Sequence, residues 1–166
     1  VTLLTAGIGG YKQGGYMKIF HLSDLHIGLK LMNRDLREDQ EYIFRQIVDR
    51  VKEQKPDALV IAGDIYDKSV PSAEAVNVFD EFLTDLSEIT PEIPILIMTV
   101  MAVSGNHDSG PRVDCFRSVL SRQKVHMIGL PPQREGEYIE KVMLWDSYGK
   151  MNFYLLPFVK PSMVKM

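Results

Sequence analysis

Carboxylates, imidazoles and an amide occur in three short polar segments, and each segment directly follows an apolar run. The segments are Asp24-Leu25-His26, Gly63-Asp64 and Gly105-Asn106-His107-Asp108. Carboxylate oxygens bind hard cations and imidazole nitrogens favour borderline transition metals, so the mixed set indicates Mn²⁺, Fe²⁺ or Zn²⁺. The chemistry that these residues predict is metal-assisted hydrolysis of a phosphoester.

The first two segments supply ligands for a metal centre. Asp24 and His26 can bind one ion if the loop that carries them curls, because both follow the same apolar run. Gly63 lets the backbone and an ion approach closely. The Asp64 carboxylate can then bridge two cations, which lie about 3.5–4 Å apart in two-metal sites.

The third segment supplies a further ligand and a proton donor. Asn106 offers a neutral carbonyl oxygen, and we expect the neighbouring His107 to contact the phosphate or protonate the leaving group. Asp67, three residues after Asp64, can accept a hydrogen bond from His107 and fix its orientation. Each segment alone also fits a polar turn. Their order, each after an apolar run, favours one common site.

The elements that position these segments follow from the spacing of apolar side chains. Short apolar runs predict strands over 18–23, 57–62, 95–103 and 125–128, and a hairpin over 138–145 and 152–156. Helical spacing predicts helices over 38–52, after an N-cap at Ser72, and around 112–120. The expected core stripes of the first two helices are Ile43, Phe44, Ile47, Val48 and Val51, and Ala75, Val76, Phe79, Phe82, Leu83 and Leu86.

Alternation of strands and helices over the first two-thirds of the chain predicts an α/β fold with covered sheet faces. In open sheets of this class, ligands bind beyond the carboxyl ends of the strands. All three polar segments fall at those ends, which supports treating them as one site.

Bulk composition narrows the class of protein. The 166 residues are enough for one domain with a core, and 45% hydrophobic with 25% charged residues is typical of a globular protein. The net charge of −3 excludes a global basic field for nucleic acid. The single Cys115 excludes an intrachain disulfide. With no apolar run of about 18 residues and no signal peptide, we expect a cytoplasmic protein without a membrane segment.

Other polar residues have simpler interpretations. We expect residues 1–16 to be a flexible extension, with translation of the native protein starting at Met17. Gly7-Ile8-Gly9-Gly10 lacks the Gly-Lys-Ser/Thr of a phosphate loop. His21 and His126 fit core histidines. A solvated helix face accounts for the cationic set Arg112, Arg117, Arg122 and Lys124.

The three segments resemble the pattern of the calcineurin-like metallophosphoesterase superfamily, Asp-X-His, Gly-Asp-X-X-Asp and Gly-Asn-His-Asp/Glu. Within it, the chain is similar to the SbcD family, the nuclease subunits of bacterial SbcCD complexes. The stretches that carry this closer resemblance are 17–28, 61–67, 70–72, 104–109 and 154–158. The resemblance implies that residues 17–166 form part of a metallophosphoesterase domain, a layered β-sheet core flanked by helices.

The resemblance also implies roles and partners. Asp24, His26, Asp64 and Asn106 would bind metal, and His107 would be the catalytic histidine. Two divalent ions, Mn²⁺ in this family, would support cleavage of DNA ends and hairpins in repair and recombination. The implied partners are DNA, an SMC-like ATPase named SbcC and a second copy of the chain in a homodimer.

Two departures from the family pattern affect the site. SbcD-like proteins carry further metal-binding histidines downstream of the Pro157-Phe158 segment, and the chain printed here ends at Met166. We therefore expect a truncated domain in which the second ion lacks its imidazole ligands and the first lacks one. Residues 98–102 look like an insertion, which would form a bulge or longer loop or would displace Asn106 and His107.

Two alternatives stay open. The net negative charge of the chain favours a different metallophosphoesterase, one that acts on nucleotides or phosphomonoesters. The missing downstream histidines favour a truncated product that keeps the fold and has lost catalysis.

Overall fold

A computed structural model of the chain describes residues 4–6, 16–89, 99–115, 117–160 and 163. The strands are β1 Leu4–Ala6, β2 Ile19–Leu22, β3 Lys30–Leu31, β4 Arg34–Asp35, β5 Ala58–Ala62, β6 Thr99–Val103, β7 Val125–Ile128, β8 Glu140–Asp146 and β9 Gly149–Leu155. The helices are α1 Arg37–Gln54, α2 Ala73–Ser87, α3 Gly110–Val113 and α4 Arg117–Leu120, and a 3₁₀ turn covers Ser121–Gln123.

The central sheet has the strand order β1-β2-β5-β6-β7. Three adjacent pairs of strands are parallel: β2 with β5, β5 with β6, and β6 with β7. The edge strand β1 pairs antiparallel with β2. Parallel neighbours need crossover connections, and α1 and α2 lie in the connections from β2 to β5 and from β5 to β6. The predicted α/β class is therefore confirmed, and three polar segments leave the sheet at one edge.

Helices α1 and α2 cover one face of this sheet. Leu59 and Ile61 of β5 alternate toward them and are fully buried, as expected for a period of two. The rings of Phe44 and Phe82 stack with centroids 4.6 Å apart where the two helices meet. Ser72 caps α2, since its Oγ accepts a hydrogen bond from the Ala75 backbone nitrogen at 3.3 Å.

The β8–β9 hairpin covers the opposite face. Val142 and Leu155 are buried against Ala58 and Ile128 of the central sheet. The hairpin runs in unbroken register from Glu140 opposite Leu155 to Asp146 opposite Gly149. The molecule thus has helices, a central sheet and a hairpin in three layers, and the predicted hairpin is present.

The helix stripes differ from the prediction at two positions. Ile43 and Val76 are 39% and 43% exposed, whereas Val78 is buried. Residues 76 and 78 both lie within one turn of the buried Ala75 and Phe79. The apolar pattern alone is therefore compatible with two rotations of α2 about its axis, one that buries Val76 and one that buries Val78. Packing against α1 and the sheet buries Val78.

Smaller elements also differ from the expectations. Within the segment expected to be a flexible extension, Leu4–Ala6 forms an edge strand, and the rest of 1–15 lies outside the described residues. Two short helices, α3 and α4, replace the single helix expected around 112–120. The β3–β4 hairpin was not predicted. Within the described residues, no helix combines the length and apolarity needed to cross a membrane.

The suspected insertion at 98–102 does not break the sheet. Thr99–Val103 pairs residue for residue with Ala58–Ala62, and residues 100–103 pair with β7. No bulge occurs in these two ladders, so the insertion does not shift the register of β6. Residue 98 lies outside the described part of the chain.

Candidate metal centre

Backbone hydrogen bonds hold the three polar segments together beyond the strand ends. The Gly63 nitrogen donates to the Val103 oxygen at 3.1 Å, and the Asp24 nitrogen donates to the Gly63 oxygen at 3.3 Å. The His26 nitrogen donates to the Asp64 oxygen at 2.9 Å. These contacts continue the parallel ladder into the loops, and so they fix the positions of side chains as far apart in sequence as Asp24 and Asp108.

Two overlapping groups of side chains can each hold a cation. Asp24, His26 and Asp64 form one group and His26, Asp67 and His107 the other, and within each group the ligand atoms lie within 4.8 Å of one another. His26 belongs to both. Its Nε2 is 3.9 Å from Asp64 Oδ2, and its Nδ1 is 4.0 Å from Asp67 Oδ1. The predicted ligands Asp24, His26 and Asp64 are therefore neighbours in space.

The environment of His26 fits a metal ligand. Its Nδ1 is buried and has no hydrogen-bond partner among the described residues, although buried polar atoms are nearly always paired. Both carboxylate oxygens near the ring are too far for a hydrogen bond. Ligand atoms lie about 2.0–2.2 Å from ions such as Zn²⁺, so two of them on one ion are at most about 4.4 Å apart. Both measured separations meet that limit.

Three of the seven described residues that carry a side chain and have a positive φ angle are predicted metal ligands. Asp24, His26 and Asp64 have φ angles of 56°, 43° and 48°, in the left-handed region that side-chain-bearing residues avoid. Such conformations cost about 1–3 kcal/mol each and are found mainly at functional sites. The fold therefore holds these three residues in costly backbone conformations, which set the directions of their side chains.

Two glycines permit the close approach of the second and third segments. Gly63 has φ +83°, and a Cβ on it would lie 3.0 Å from Gly105 Cα. A Cβ on Gly105 would lie 2.1 Å from Asp64 Oδ1 and 2.3 Å from the Asp64 nitrogen. Any side chain at either position would push Asp64 away from the loop that carries His107.

Asp108 holds this arrangement together, a role the sequence did not reveal. Its carboxylate accepts hydrogen bonds from the backbone nitrogens of Ile65, Tyr66 and Gly105 at 3.0, 2.8 and 2.8 Å. One side chain thus ties the loop after β5 to the loop after β6. The sequence indicated this role only by the position of Asp108, which directly follows His107 in the third polar segment.

His107 lies exposed at the mouth of the site. Its backbone nitrogen donates to Asp64 Oδ1 at 3.0 Å, and its Nδ1 lies 3.1 Å from the Asp67 backbone oxygen. A carbonyl oxygen only accepts, so Nδ1 carries the proton and Nε2 is left to face solvent. This hydrogen bond is the main cause that raises the pKa of His107. Loss of solvation opposes it, and the nearby carboxylates Asp64, Asp67 and Asp108 raise the pKa further.

The contact between His107 and Asp67 corrects the predicted pairing. The expectation was a hydrogen bond to the Asp67 carboxylate, but His107 contacts the Asp67 main-chain oxygen. The carboxylate instead faces His26. The backbone can supply a carbonyl at any position, and residue types alone do not show when it does. Asn106, the remaining predicted ligand, lies exposed in the same loop between Gly105 and His107.

Gln40 positions the first segment, and the sequence analysis missed it. Its Oε1 accepts from the Gly28 nitrogen at 3.0 Å. Its Nε2 donates to the Leu25 and His26 oxygens at 3.2 and 2.9 Å. Gln40 lies one turn before the buried Phe44 of α1. A polar residue continuing a buried stripe was the signal that pointed to it.

The other histidines and cations lie apart from the site. His126 Nδ1 is 3.1 Å from Glu140 Oε1, which agrees with the expected core role. Of the predicted solvated cationic set, Arg112, Arg122 and Lys124 are exposed. The Arg117 side chain is 39% exposed, but it also binds Glu140 and lies 3.6 Å from Asp114. Burial alone would raise the pKa of Glu140, but hydrogen bonds from Arg117 and His126 lower it overall. His21 belongs to neither cation-binding group among the described residues.

Comparison with known families agrees with this geometry. The calcineurin-like phosphoesterase family matches the chain over residues 17–160. The chain belongs to this family. A calcineurin-like phosphoesterase hydrolyses phosphoesters with divalent metals, and the convergent Asp and His side chains at the sheet edge give this chain groups that can bind them.

Proposed function

We propose that this calcineurin-like phosphoesterase is an SbcD-type nuclease chain that hydrolyses DNA phosphodiester bonds with Mn²⁺. One observation carries the proposal: the fold brings the ligand atoms of Asp24, His26 and Asp64 within 4.8 Å of one another. The other ring nitrogen of His26, Nδ1, is buried near the Asp67 carboxylate and has no hydrogen-bond partner among the described residues. The resemblance of the surrounding segments to SbcD proteins supplies DNA as the substrate and an SMC-like ATPase as the partner.

The donor set supports divalent metal binding in particular. It combines carboxylates with imidazoles, and such mixed sites suit Mn²⁺, Fe²⁺ or Zn²⁺ better than Ca²⁺ or Mg²⁺. Asp24, His26 and Asp64 would hold an ion on one side, and Asp67 and His107 lie on the other side of His26. When bound, divalent ions activate water for attack on phosphorus and offset charge on the phosphoryl oxygens.

The protein groups divide the remaining work. Asp64 accepts from the His107 backbone and so fixes the distance between the metal cluster and the exposed imidazole. The Nδ1 contact with Asp67 holds the ring with its Nε2 facing outward. In the charged imidazole, that Nε2–H can protonate the departing sugar oxygen. The hydrogen bond to the Asp67 carbonyl raises the pKa of His107.

Two matched variants test this division of roles. Asp64→Asn keeps an oxygen that can accept from His107 but removes the charge, so it should lose both Mn²⁺ binding and hydrolysis. His107→Ala should keep the Mn²⁺ bound by Asp24, His26 and Asp64 and lose hydrolysis by about 100- to 10,000-fold, the usual contribution of a general acid. Calorimetric titration with Mn²⁺ and a DNA cleavage assay separate the two. Equal loss of Mn²⁺ binding in both variants would contradict the assigned roles.

The competing proposal is hydrolysis of nucleotides or phosphomonoesters by the same residues. The net charge of −3 is its support. A cytoplasmic location and a homodimer belong to the SbcD-type proposal as well. The location rests on the sequence features given above, and the homodimer rests on the resemblance. Comparison of rates on linear DNA and on a mononucleotide decides between the two substrates.

A further inference from the structure

The outward surface of the β8–β9 hairpin has a composition unlike the rest of the chain. We call it the hairpin face and define it by six residues, all exposed: Lys141, Met143, Trp145, Lys150, Asn152 and Tyr154. Trp145 is 70% and Tyr154 63% exposed. Exposed tyrosines occur elsewhere in the described residues, but Trp145 and Tyr154 share one face of a regular hairpin and offer two flat surfaces for stacking.

Charge is segregated across this hairpin. The face carries Lys141 and Lys150 and no carboxylate, although the chain as a whole is acidic. The two acidic residues of the strands, Glu140 and Asp146, lie on the opposite side. Glu140 binds Arg117 there, and Asp146 accepts from backbone nitrogens of Met17, Tyr148 and Gly149. The hairpin face therefore presents an uncompensated positive charge.

Register pairs each aromatic side chain with a lysine. Lys141 lies directly opposite Tyr154, and Lys150 lies directly opposite Trp145. Directly opposed residues have their Cβ atoms about 4.5–5.5 Å apart. The two pairs are separated by about 13 Å along the hairpin, since a strand rises about 3.3 Å per residue. A base on each ring would place a backbone phosphate near a lysine.

The hairpin face is connected to the candidate metal centre. β9 ends at Leu155, and three residues later the Phe158 nitrogen donates to the Ser104 oxygen at 2.9 Å. Ser104 directly precedes the loop of Gly105, Asn106 and His107. The strand that carries Tyr154 thus leads from the face to the site.

We propose that the hairpin face binds single-stranded nucleic acid, with bases stacked on Trp145 and Tyr154 and phosphates contacted by the two lysines. Aromatic platforms with neighbouring positive charge bind single strands without sequence preference. The ligand class rests on the proposed function, because a chain that cleaves phosphodiester bonds must hold a nucleic acid, and β9 is joined through Phe158 to the loop that carries His107. The face itself contains none of those residues.

Trp145 is the sole tryptophan of the sequence, so its fluorescence reports on the face directly. The full chain in EDTA is titrated with oligothymidylate, and we expect saturable quenching of Trp145 that weakens as salt rises. Tyr154→Ala should weaken binding by about 5- to 150-fold, the usual effect of removing one stacking ring. Tyr42→Ala, an exposed tyrosine on α1, is the matched control and should bind as the wild type.

Inorganic polyphosphate separates stacking from charge. It carries phosphates without bases, and we expect it to leave Trp145 fluorescence unchanged. Absence of quenching by oligothymidylate, equal quenching by polyphosphate, or unchanged affinity in Tyr154→Ala would each overturn the proposal. Self-association that Trp145→Ala abolishes would also overturn it, because a second copy of the chain would then cover the face.

This test is independent of catalysis. Asp64→Asn should retain the quenching, since the hairpin face is outside the metal centre. Cleavage of DNA without quenching of Trp145 would refute the hairpin face and leave the proposed function standing. Quenching without any Mn²⁺-dependent cleavage would refute the proposed function and leave the hairpin face standing.

Discussion

Replacing Gln40 by alanine should loosen the segment that carries Asp24 and His26. The substitution removes three hydrogen bonds, one accepted from Gly28 and two donated to the oxygens of Leu25 and His26. At about 0.5–1.5 kcal/mol net for each bond, the loss is about 1.5–4.5 kcal/mol in the free energy of unfolding. Water can reach this half-buried side chain, so we expect the lower half of that range.

The effect on metal binding should exceed the effect on stability alone. His26 has φ +43°, a backbone conformation that surrounding contacts must hold in place. Groups that orient a metal ligand from behind change affinity by about 10- to 100-fold when removed. We expect a loss of this size in the Mn²⁺ affinity of Gln40→Ala, measured by calorimetry on protein shown to be folded by circular dichroism.

Two further variants make this test specific. Gln46→Ala changes an exposed glutamine on the same helix and should leave both quantities unchanged. Gln40→Glu keeps the acceptor for Gly28 but offers no donor to the two carbonyls, so it should bind Mn²⁺ as poorly as Gln40→Ala. A folded Gln40→Ala protein with wild-type Mn²⁺ affinity would refute the claim that Gln40 positions His26.

Three other substitutions have expected outcomes. Gly105→Ala places a Cβ against Asp64 Oδ1, which should destabilise the protein by about 1–3 kcal/mol and slow hydrolysis by about 100-fold if Asp64 moves by about 1 Å. Gly136→Ala is the control for the rate alone: its φ of +87° makes alanine costly there, but nothing lies within 4 Å, so its rate should stay that of the wild type. Equal rates in the two variants would argue against the clash. Asp108→Asn replaces one carboxylate oxygen by an amide NH₂ group that faces a backbone N–H donor. The free energy of unfolding, measured with urea, should fall by about 1.5–3 kcal/mol, the value of one hydrogen bond to a charged group. An unchanged free energy would mean that the carboxylate does not tie the loops. Hydrogen bonds lower the pKa of Glu140 below its ordinary 4.5 in the folded chain, so its contribution is complete above that value and is lost as the pH falls through the lowered pKa. The stability difference between wild type and Glu140→Gln should therefore shrink in acid, and a difference that grows there would show that the sign is wrong.

The sequence was sufficient for the elements that carry the site. Strands β2, β5 and β6 are short apolar runs, and parallel pairing brings their carboxyl ends to one edge of a sheet. Asp24, His26 and Asp64 had therefore to approach one another once the α/β class was recognised. The hairpin was predictable because Ser147-Tyr148-Gly149 is a turn signal between two apolar runs.

The residue pattern did not predict contacts made by the backbone, or contacts between one element and another. The Asp67 carbonyl rather than its carboxylate receives His107, and no property of aspartate indicates that choice. Gln40 acts from a helix on loops 12 to 15 residues away. Val78 is buried in place of the predicted Val76 because packing against α1 decides how α2 is rotated about its axis. The apolar pattern of α2 alone does not include that packing.

Mn²⁺-dependent cleavage of end-labelled linear duplex DNA by the purified 166-residue chain tests the central claim most directly. His107→Ala is assayed beside it, with a mononucleotide as the competing substrate. The account predicts that DNA is cleaved faster than the mononucleotide is hydrolysed, and that both activities fall in His107→Ala. No cleavage of DNA by a folded, Mn²⁺-binding chain, or cleavage that His107→Ala retains, would contradict it.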